Sequence, residues 1–332
     1  MKYKLTVLLA CALLLSAGPA QAADNKDNIL PNRFSDAMTW NLQNRVEDIT
    51  ITKVAVPADN AKQAPRPPQG EPMTPPPGFN PPDHITQGSA ARNVTEKGVL
   101  ENQVFGSTGN DENALRVTGA LVTLKNVEIM KEEGTSSSTE NGDFYGMNAA
   151  LLATGGARVT IEDSAVHSAA LNGNGLFSYG KGTGIFAKNV TITTEGSHSG
   201  GLQTTGGALT ESENVTVSTA GNSSAAIRSD RGGGTVLVKG GTFRTEGYGS
   251  PAVYSTADIS IEGADLSASR SEGAVIEGKN SIALKNCRME GNMAETRLMG
   301  KETIKEENVH TVMIYQSMSG DAEEGTSSFS ME

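Results

Sequence analysis

Short stretches of alternating apolar and polar residues follow one another between residues 119 and 289, and one six-residue phrase recurs seven times within them. Its copies lie at residues 124–129, 161–166, 187–192, 212–217, 238–243, 261–266 and 284–289. The last residues of successive copies stand 37, 26, 25, 26, 23 and 23 residues apart. A repeat in this range predicts a solenoid.

A second phrase follows about ten residues after the first, with copies at 150–154, 175–179, 201–205, 226–230, 252–256 and 274–278. Both phrases are short, β-branched or aromatic, and bounded by Gly, Ser and Asn, which predicts a unit of strand, turn, strand, turn. A coil of about 24 residues can bury its apolar side chains only by stacking on neighbouring coils, roughly 4.8 Å away. The sequence therefore predicts an all-β fold, a single-stranded parallel β-helix.

These features resemble the right-handed parallel β-helix repeat proteins with a pectin-lyase-like fold, often described as adhesin-like in bacteria. The resemblance rests on turn-rich runs at residues 226–234, 250–258, 272–280 and 313–320, and it covers roughly residues 110–332. It implies a right-handed solenoid. It implies little about function, because this fold hosts lyases, hydrolases and non-catalytic surface proteins.

The first 22 residues have a basic start, an apolar run and small residues that end at Ala22. This pattern is typical of a secretory signal peptide, and the apolar run is too short to span a membrane. We expect cleavage after Ala22 and export to the periplasm, the cell surface or the medium, with no integral membrane segment in the mature chain. Cys11 could instead mark a lipoprotein cleavage box. This alternative is weaker, because a better cleavage site lies downstream.

The chain has 27 basic and 38 acidic residues, a formal net charge of −11 that becomes −13 once the leader and its two lysines are removed. Such a charge disfavours nucleic acid as a partner. Cys287 is the one cysteine that remains in the mature chain. It cannot form an internal disulfide, so coil stacking must stabilise the fold.

Three segments flank or interrupt the repeats. Residues 23–56 are predicted to form an N-terminal cap, where a helix through Phe34, Met38 and Leu42 competes with a strand over 46–56. Residues 57–92 hold ten of the thirteen prolines and are predicted to form an extended linker. The β-helix is expected over 93–332.

Two long periods contain insertions at 131–146 and 291–311, predicted to form outer loops that either bind a ligand or are passive. Residues 328–332 match the start of another strand phrase. We expect a C-terminal truncation there, or stacking of this open end on another chain.

Alternation along the second phrase predicts two faces. The inward residues are Leu151, Leu176, Leu202, Ile227, Val253 and Val275, with an inner ladder of hydroxyls at Ser178, Thr204, Ser229 and Ser255. The outer columns are Leu152, Phe177, Gln203, Arg228, Tyr254 and Ile276, and then Thr154, Tyr179, Thr205, Asp230, Thr256 and Gly278.

Aromatic rings beside charged groups can bind a sugar, because the ring packs on its apolar face and the charges bind its hydroxyls. The candidate ligand-binding residues are Phe177, Tyr179, Arg228, Asp230, Arg231, Tyr254 and Glu277. The alternative is structural, with rings that only stack between coils and an exposed Arg228–Asp230 pair that contributes little.

Catalytic clusters are not evident in the sequence. A calcium-dependent lyase needs a group of carboxylates to hold the metal, and a glycosidase needs two carboxylates that face each other. Asp230 has no carboxylate beside it in its column, because the equivalent positions on the adjacent coils are threonines. The histidines lack metal-ligand spacing, and His198 is predicted to be a solvated turn residue. We predict neither a metal nor a cofactor.

The sequence favours a non-catalytic, adhesin-like protein that presents a binding face, with a glycan as the expected partner. A polysaccharide lyase or glycoside hydrolase that uses Arg228, Asp230, Arg231 and Glu277 is the alternative. A structural surface spacer is a further one.

Overall fold

The computed structural model describes residues 84–293, 296–297, 302–303, 309–315 and 326–332. These residues belong to one compact unit. The predicted signal peptide (1–22), cap segment (23–56) and most of the predicted linker (57–92) lie outside them.

The strands of the first coils, in chain order, are β1 (Ser89–Val94), β2 (Gly98–Glu101), β3 (Val104–Ser107), β4 (Glu112–Thr118), β5 (Leu121–Lys125), β6 (Glu128–Lys131), β7 (Leu151–Thr154), β8 (Arg158–Glu162) and β9 (Ala165–Ser168). The middle coils contain β10 (Leu176–Tyr179), β11 (Gly184–Lys188), β12 (Thr191–Thr194), β13 (Leu202–Thr205), β14 (Ala208–Glu213), β15 (Thr216–Thr219), β16 (Ile227–Ser229), β17 (Gly234–Lys239) and β18 (Thr242–Thr245). The last coils contain β19 (Val253–Ser255), β20 (Asp258–Glu262), β21 (Asp265–Ala268), β22 (Ala274–Glu277), β23 (Ser281–Lys285), β24 (Arg288–Gly291), β25 (Thr296–Arg297), β26 (Glu302–Thr303), β27 (Val312–Tyr315) and β28 (Ser328–Met331).

Each of the first eight coils contributes one strand to each of three parallel sheets, and β27 and β28 extend two of them. Sheet A runs in the order β1-β4-β7-β10-β13-β16-β19-β22-β27, sheet B in the order β2-β5-β8-β11-β14-β17-β20-β23-β28, and sheet C in the order β3-β6-β9-β12-β15-β18-β21-β24. Only β25 and β26, within the second insertion, pair antiparallel among the described strands. The predicted all-β parallel solenoid is confirmed.

The seven copies of the first phrase stack in register. Leu124 pairs with Ile161, which pairs with Ala187, and the same register continues through Ser212, Val238, Ile261 and Leu284. Met331 then pairs with Leu284, as the match of residues 328–332 to a strand phrase predicts. Positions one repeat apart in sequence are therefore direct spatial neighbours.

The predicted unit of two strands per coil is wrong, because the first phrase bends at its third residue and supplies strands to both sheet B and sheet C. The residue at the bend has positive φ in all seven copies: Asn126, Asp163, Asn189, Asn214, Gly240, Gly263 and Asn286. Asn, Asp and Gly tolerate this left-handed conformation best.

The bend residues also form a hydrogen-bonded ladder between coils. The Nδ2 of Asn189 donates to Oδ1 of Asp163 at 2.8 Å, and the Nδ2 of Asn214 donates to Oδ1 of Asn189 at 2.8 Å. The side chain of Asn189 thus contacts the bend residue of the coil before it and that of the coil after it.

The core fills the interior between the sheets, and the predicted inward residues Leu151, Leu176, Leu202, Ile227 and Val253 are buried in it. The prediction for the next coil is wrong by one residue. Val275 pairs with the outward residue Tyr254, and Ile276 lies in the core. The coil that leads to this strand is shorter than the earlier ones, so the assumed spacing is wrong by one residue. Because side chains alternate along a strand, a shift of one residue exchanges its inner and outer faces.

The predicted inner ladder of hydroxyls is confirmed. Ser178, Thr204, Ser229 and Ser255 are fully buried. The Oγ of Ser178 donates to the carbonyl of Leu209 at 2.9 Å, and the Oγ of Ser229 accepts from the backbone N–H of Thr256 at 2.8 Å. These hydroxyls satisfy backbone groups at the corner between sheets A and B.

The first insertion contains a helix rather than only a loop. Helix α1 (Thr139–Tyr145) begins after the N-cap Ser138, whose side chain accepts from the N–H of Asn141, and ends at Gly146 with φ of 81°. It lies on the outer face of sheet A, where Gln203 Nε2 donates to the carbonyl of Asp143 at 3.0 Å. Part of the predicted outer face is therefore covered.

The first strand starts at Ser89, within the range assigned to the linker, and pairs with β4. None of the helical structure in the described ranges is long and apolar enough to cross a membrane.

The bend position offers a matched pair of variants. We expect Asn189→Ala to lower the free energy of unfolding by about 1–2 kcal/mol more than Asn189→Gly, because alanine resists the left-handed conformation that glycine adopts freely. Both variants remove the same ladder bonds, so their difference isolates the backbone cost. Urea unfolding measures this difference in unfolding free energy. Equal losses of stability in the two variants would contradict the left-handed conformation of residue 189.

Candidate functional site

A groove of about 530 Å³ opens on the outer face of sheet A, beside helix α1. The helix contributes Asp143 and Phe144, and the strands and turns of the following coils contribute the rest of the wall. The full lining is Asp143, Phe144, His198, Ser223, Ala225, Arg228, Asp230, Arg231, Gly249, Pro251, Tyr254, Glu277 and Tyr315.

Arg228 links two carboxylates at one end of the groove. Its Nη1 donates to Asp143 Oδ1 at 3.2 Å, while Nε and Nη2 donate to Asp230 Oδ2 at 3.0 and 2.7 Å. Nη1 also donates to the carbonyl of Ser223 at 3.4 Å. Only 11% of the side chain is exposed. The expectation of an exposed, weak ion pair between Arg228 and Asp230 is therefore wrong.

The two carboxylates differ in their proton affinity. Burial on its own raises the pKa of Asp143, but the charge of Arg228 and a hydrogen bond from His198 outweigh burial and hold that pKa below its usual range. For Asp230, burial and the charge of Asp143 outweigh Arg228 and raise the pKa to about 6. The two carboxylates keep the pKa of Arg228 above its ordinary value despite burial.

Arg231 lies next to this network and packs against the helix. Its guanidinium carbon stands 4.1 Å from the centroid of the Phe144 ring, a cation–π distance. Its Nη1 lies 3.7 Å from Glu140 Oε2. The first insertion thus contacts both arginines of the groove.

Two tyrosines and a glutamate form the other end. The hydroxyls of Tyr254 and Tyr315 both donate to Oε2 of Glu277, the second at 3.0 Å, and the two hydroxyl oxygens are 2.9 Å apart. Burial, together with the nearby carboxylates, raises the pKa of Tyr254 and that of Tyr315 above the ordinary phenol value. Both phenols are therefore neutral donors.

The structure brings five of the seven predicted residues into the groove: Arg228, Asp230, Arg231, Tyr254 and Glu277. Phe177 is fully buried next to Gly146, the residue at which helix α1 ends, and is not available to a ligand. Tyr179 is half-buried, packs against the Tyr145 ring with centroids 5.7 Å apart, and lies outside the lining. The helix explains both departures, because it covers the early coils of the outer face.

Four side chains that line the groove were not predicted as site residues. Asp143 and Phe144 lie in the insertion, which the repeat cannot align. His198 was predicted to be a solvated turn residue, but its Nδ1 lies 3.0 Å from Asp143 Oδ2. Tyr315 pairs with Glu277 across β22 and β27, and extending the column into the run at 313–320 would have found it.

A metal site is not supported by this geometry. Within the described ranges, no group of three or more His, Cys, Asp or Glu residues is placed to hold an ion. The groove instead offers aromatic faces, fixed carboxylates and guanidinium groups, which suit hydrogen bonding and stacking.

Replacing Arg228, the cation between the two carboxylates, should destabilise the protein. We expect Arg228→Met to lower the free energy of unfolding by about 3–5 kcal/mol, because two buried carboxylates lose their partner. Adding Asp143→Asn and Asp230→Asn to this variant should recover part of the loss. Urea denaturation provides the values; a loss below about 1 kcal/mol, as for an exposed pair, would contradict the network.

The carboxylates should also titrate as a coupled pair. In Asp143→Asn, we expect the pKa of Asp230 to fall below its value of about 6, because the neighbouring negative charge that opposes its ionisation is gone. Carboxyl-carbon NMR measures this pKa. Asp265→Asn, on sheet C, is the matched control and should leave it unchanged; an unchanged or higher value in Asp143→Asn would refute the coupling.

No protein-family model matches this chain, and neither a curated protein nor a solved structure matches it.

Proposed function

We propose that this protein is an exported, non-catalytic β-solenoid that binds a glycan in the groove beside helix α1. The observation that carries the proposal is one open groove that combines the aromatic residues Phe144, Tyr254 and Tyr315 with hydrogen-bonding charges. Export rests on the leader pattern of residues 1–22 alone.

Sugar recognition needs both of these features. Aromatic faces pack against the apolar faces of pyranose rings, and charged groups form strong hydrogen bonds with hydroxyls. In this groove the polar groups hold one another in place, as Arg228 holds Asp143 and Asp230. Binding would therefore cost little side-chain entropy.

A second function, polysaccharide cleavage, is favoured by one observation. Asp143 and Asp230 share Arg228, yet their pKa values move in opposite directions, the second to about 6. Neighbouring carboxyls of unequal pKa are typical of acid–base pairs. Asp230 would be the proton donor, with Arg228, Arg231 and Glu277 as the other candidates. A structural spacer is the third alternative, but a spacer would not require the groove.

A glycan array combined with a product assay separates the three functions. We expect binding to at least one polysaccharide without new reducing ends or unsaturated products, and Tyr254→Ala should weaken this binding by about tenfold or more. Tyr248→Ala is the matched control, because Tyr248 contacts Arg270 outside the lining. It should bind normally.

The other outcomes each point elsewhere. Turnover of any bound polysaccharide would replace the proposal with the enzyme. Silence in both assays would favour the spacer. Binding that Tyr254→Ala and Tyr248→Ala weaken equally would place the ligand outside this groove.

A further inference from the structure

We infer that two copies of this chain associate through the outer faces of their B sheets, with the two solenoids running in opposite directions. The inference is independent of the glycan groove, which lies on sheet A. It starts from one outer column of sheet B, in which glutamate and lysine alternate from each strand to the next. In chain order, the column is Glu101, Lys125, Glu162, Lys188, Glu213, Lys239, Glu262 and Lys285.

Within one chain, this charged column joins neighbouring coils by ion pairs. Lys188 Nζ lies 2.8 Å from Glu213 Oε1, and Lys285 Nζ lies 3.4 Å from Glu262 Oε1. Because these side chains are partly exposed, each pair contributes little to the stability of the fold. The pairs stay intact in the dimer, which adds neighbours of opposite charge on the solvent side of the column.

The alternation makes the charged column complementary to its own reverse. In an isologous dimer, a two-fold axis places the same surface patch on both sides of the contact. An axis parallel to the strands, midway between two coils, sets the charged column against that of the other copy with the coils in reverse order. Lysines then face glutamates along the whole overlap. A column of one charge would repel its copy instead.

Apolar side chains lie beside the middle of the charged column. Phe186 and Leu237 flank Glu211 on the neighbouring strands, each two residues before a member of the column. Leu209 stands two residues before Glu211 on the same strand. All four side chains are half-buried on the outer face of sheet B. An apolar centre with charges at its side is the usual arrangement of a protein–protein interface.

Glu211 itself favours a covered face. Its Oε1 is buried and has no hydrogen-bond partner among the described residues. Burial raises the pKa of Glu211 to about 7, and the charged groups around it by register are Lys188, Glu213 and Lys239. Further burial in the dimer raises this pKa again, so association takes up protons and strengthens as the pH falls from about 8 to about 6.

The area of the face is sufficient for a specific dimer. Sheet B has nine strands, so its outer face is about 38 Å long and, for strands of about five residues, about 17 Å wide. Contact between two such faces buries on the order of 1,300 Å² in total, which is within the range of specific protein interfaces. The dimer therefore needs no contribution from the groove on sheet A.

Sedimentation equilibrium of the full chain at pH 7, at micromolar concentrations, tests whether the dimer forms. We expect a reversible equilibrium between monomer and dimer. Lys239→Glu should weaken the dimer by about tenfold or more, because the two-fold axis introduces each like-charge contact twice. Arg244→Glu is the matched control, since Arg244 is exposed on sheet C in the same coil. It makes the same change of charge and should dimerise normally.

The dependence of the dimer on pH tests the apolar centre. Glu211→Gln replaces the carboxyl with an uncharged amide of the same shape. We expect this variant to dimerise about threefold or more tightly than the unmodified chain at pH 8, and to lose the strengthening between pH 8 and pH 6. A variant that keeps the full pH dependence would place the contact away from Glu211 and overturn the inference.

Amine cross-linking with a short reagent identifies the direction of the two copies. Lys125 and Lys285 are six strand spacings apart in one chain, about 29 Å, which is too far for the reagent. In the antiparallel dimer, Lys125 of one copy lies near Lys285 of the other. We therefore expect Lys125–Lys285 links in the dimer fraction and none in the monomer fraction.

Three results would overturn the inference. The first is a monomer at every concentration. The second is a dimer that Lys239→Glu and Arg244→Glu weaken equally, because the contact would then lie elsewhere on the surface. The third is a dimer with Lys125–Lys125 links in place of Lys125–Lys285 links, which would make the copies parallel. None of these results bears on glycan binding, which Tyr254→Ala tests on sheet A.

Discussion

The hydrogen-bonded register between successive coils determines everything else in this molecule. Each strand pairs in parallel with the strand one repeat before it and one repeat after it, so residues about 25 positions apart become neighbours. Core, corner ladders and outer face all follow from this register. A one-residue slip in a strand would exchange its inner and outer side chains, which is why a buried core specifies the register so strongly.

The same register assembles the groove from distant parts of the chain. Arg228, Tyr254, Glu277 and Tyr315 come from four successive strands of sheet A. Helix α1 then closes the face on one side, and its Asp143 reaches Arg228 from a coil three repeats earlier. The strands of the solenoid thus fix the positions of the side chains in the groove wall. The inserted helix bounds the groove on one side and contributes Asp143, the second carboxylate that binds Arg228.

The repeat predicts the fold well because its period and its strand alternation are local properties that stacking only reinforces. It also brings Arg228, Asp230 and Tyr254 to one face, and Glu277 joins them only because the strand Ala274–Glu277 is shifted by one residue. It does not predict the bend that divides the first phrase between two sheets, since a single left-handed Asn or Gly makes that corner. It fails at Val275 because a shortened coil breaks the assumed spacing, and at Phe177 because a non-repeating insertion covers that ring.

Engineered disulfides test the register most directly. With Cys11 and Cys287 replaced by serine, Thr191→Cys and Thr216→Cys lie at paired positions on exposed faces of β12 and β15. Paired parallel strands stand about 4.8 Å apart, within disulfide range, whereas a partner two residues out of register lies about 8 Å away, beyond it. We predict rapid oxidation of the 191–216 pair and none of Thr191→Cys with Ser218→Cys; the reverse preference would contradict the stacking and the groove built on it.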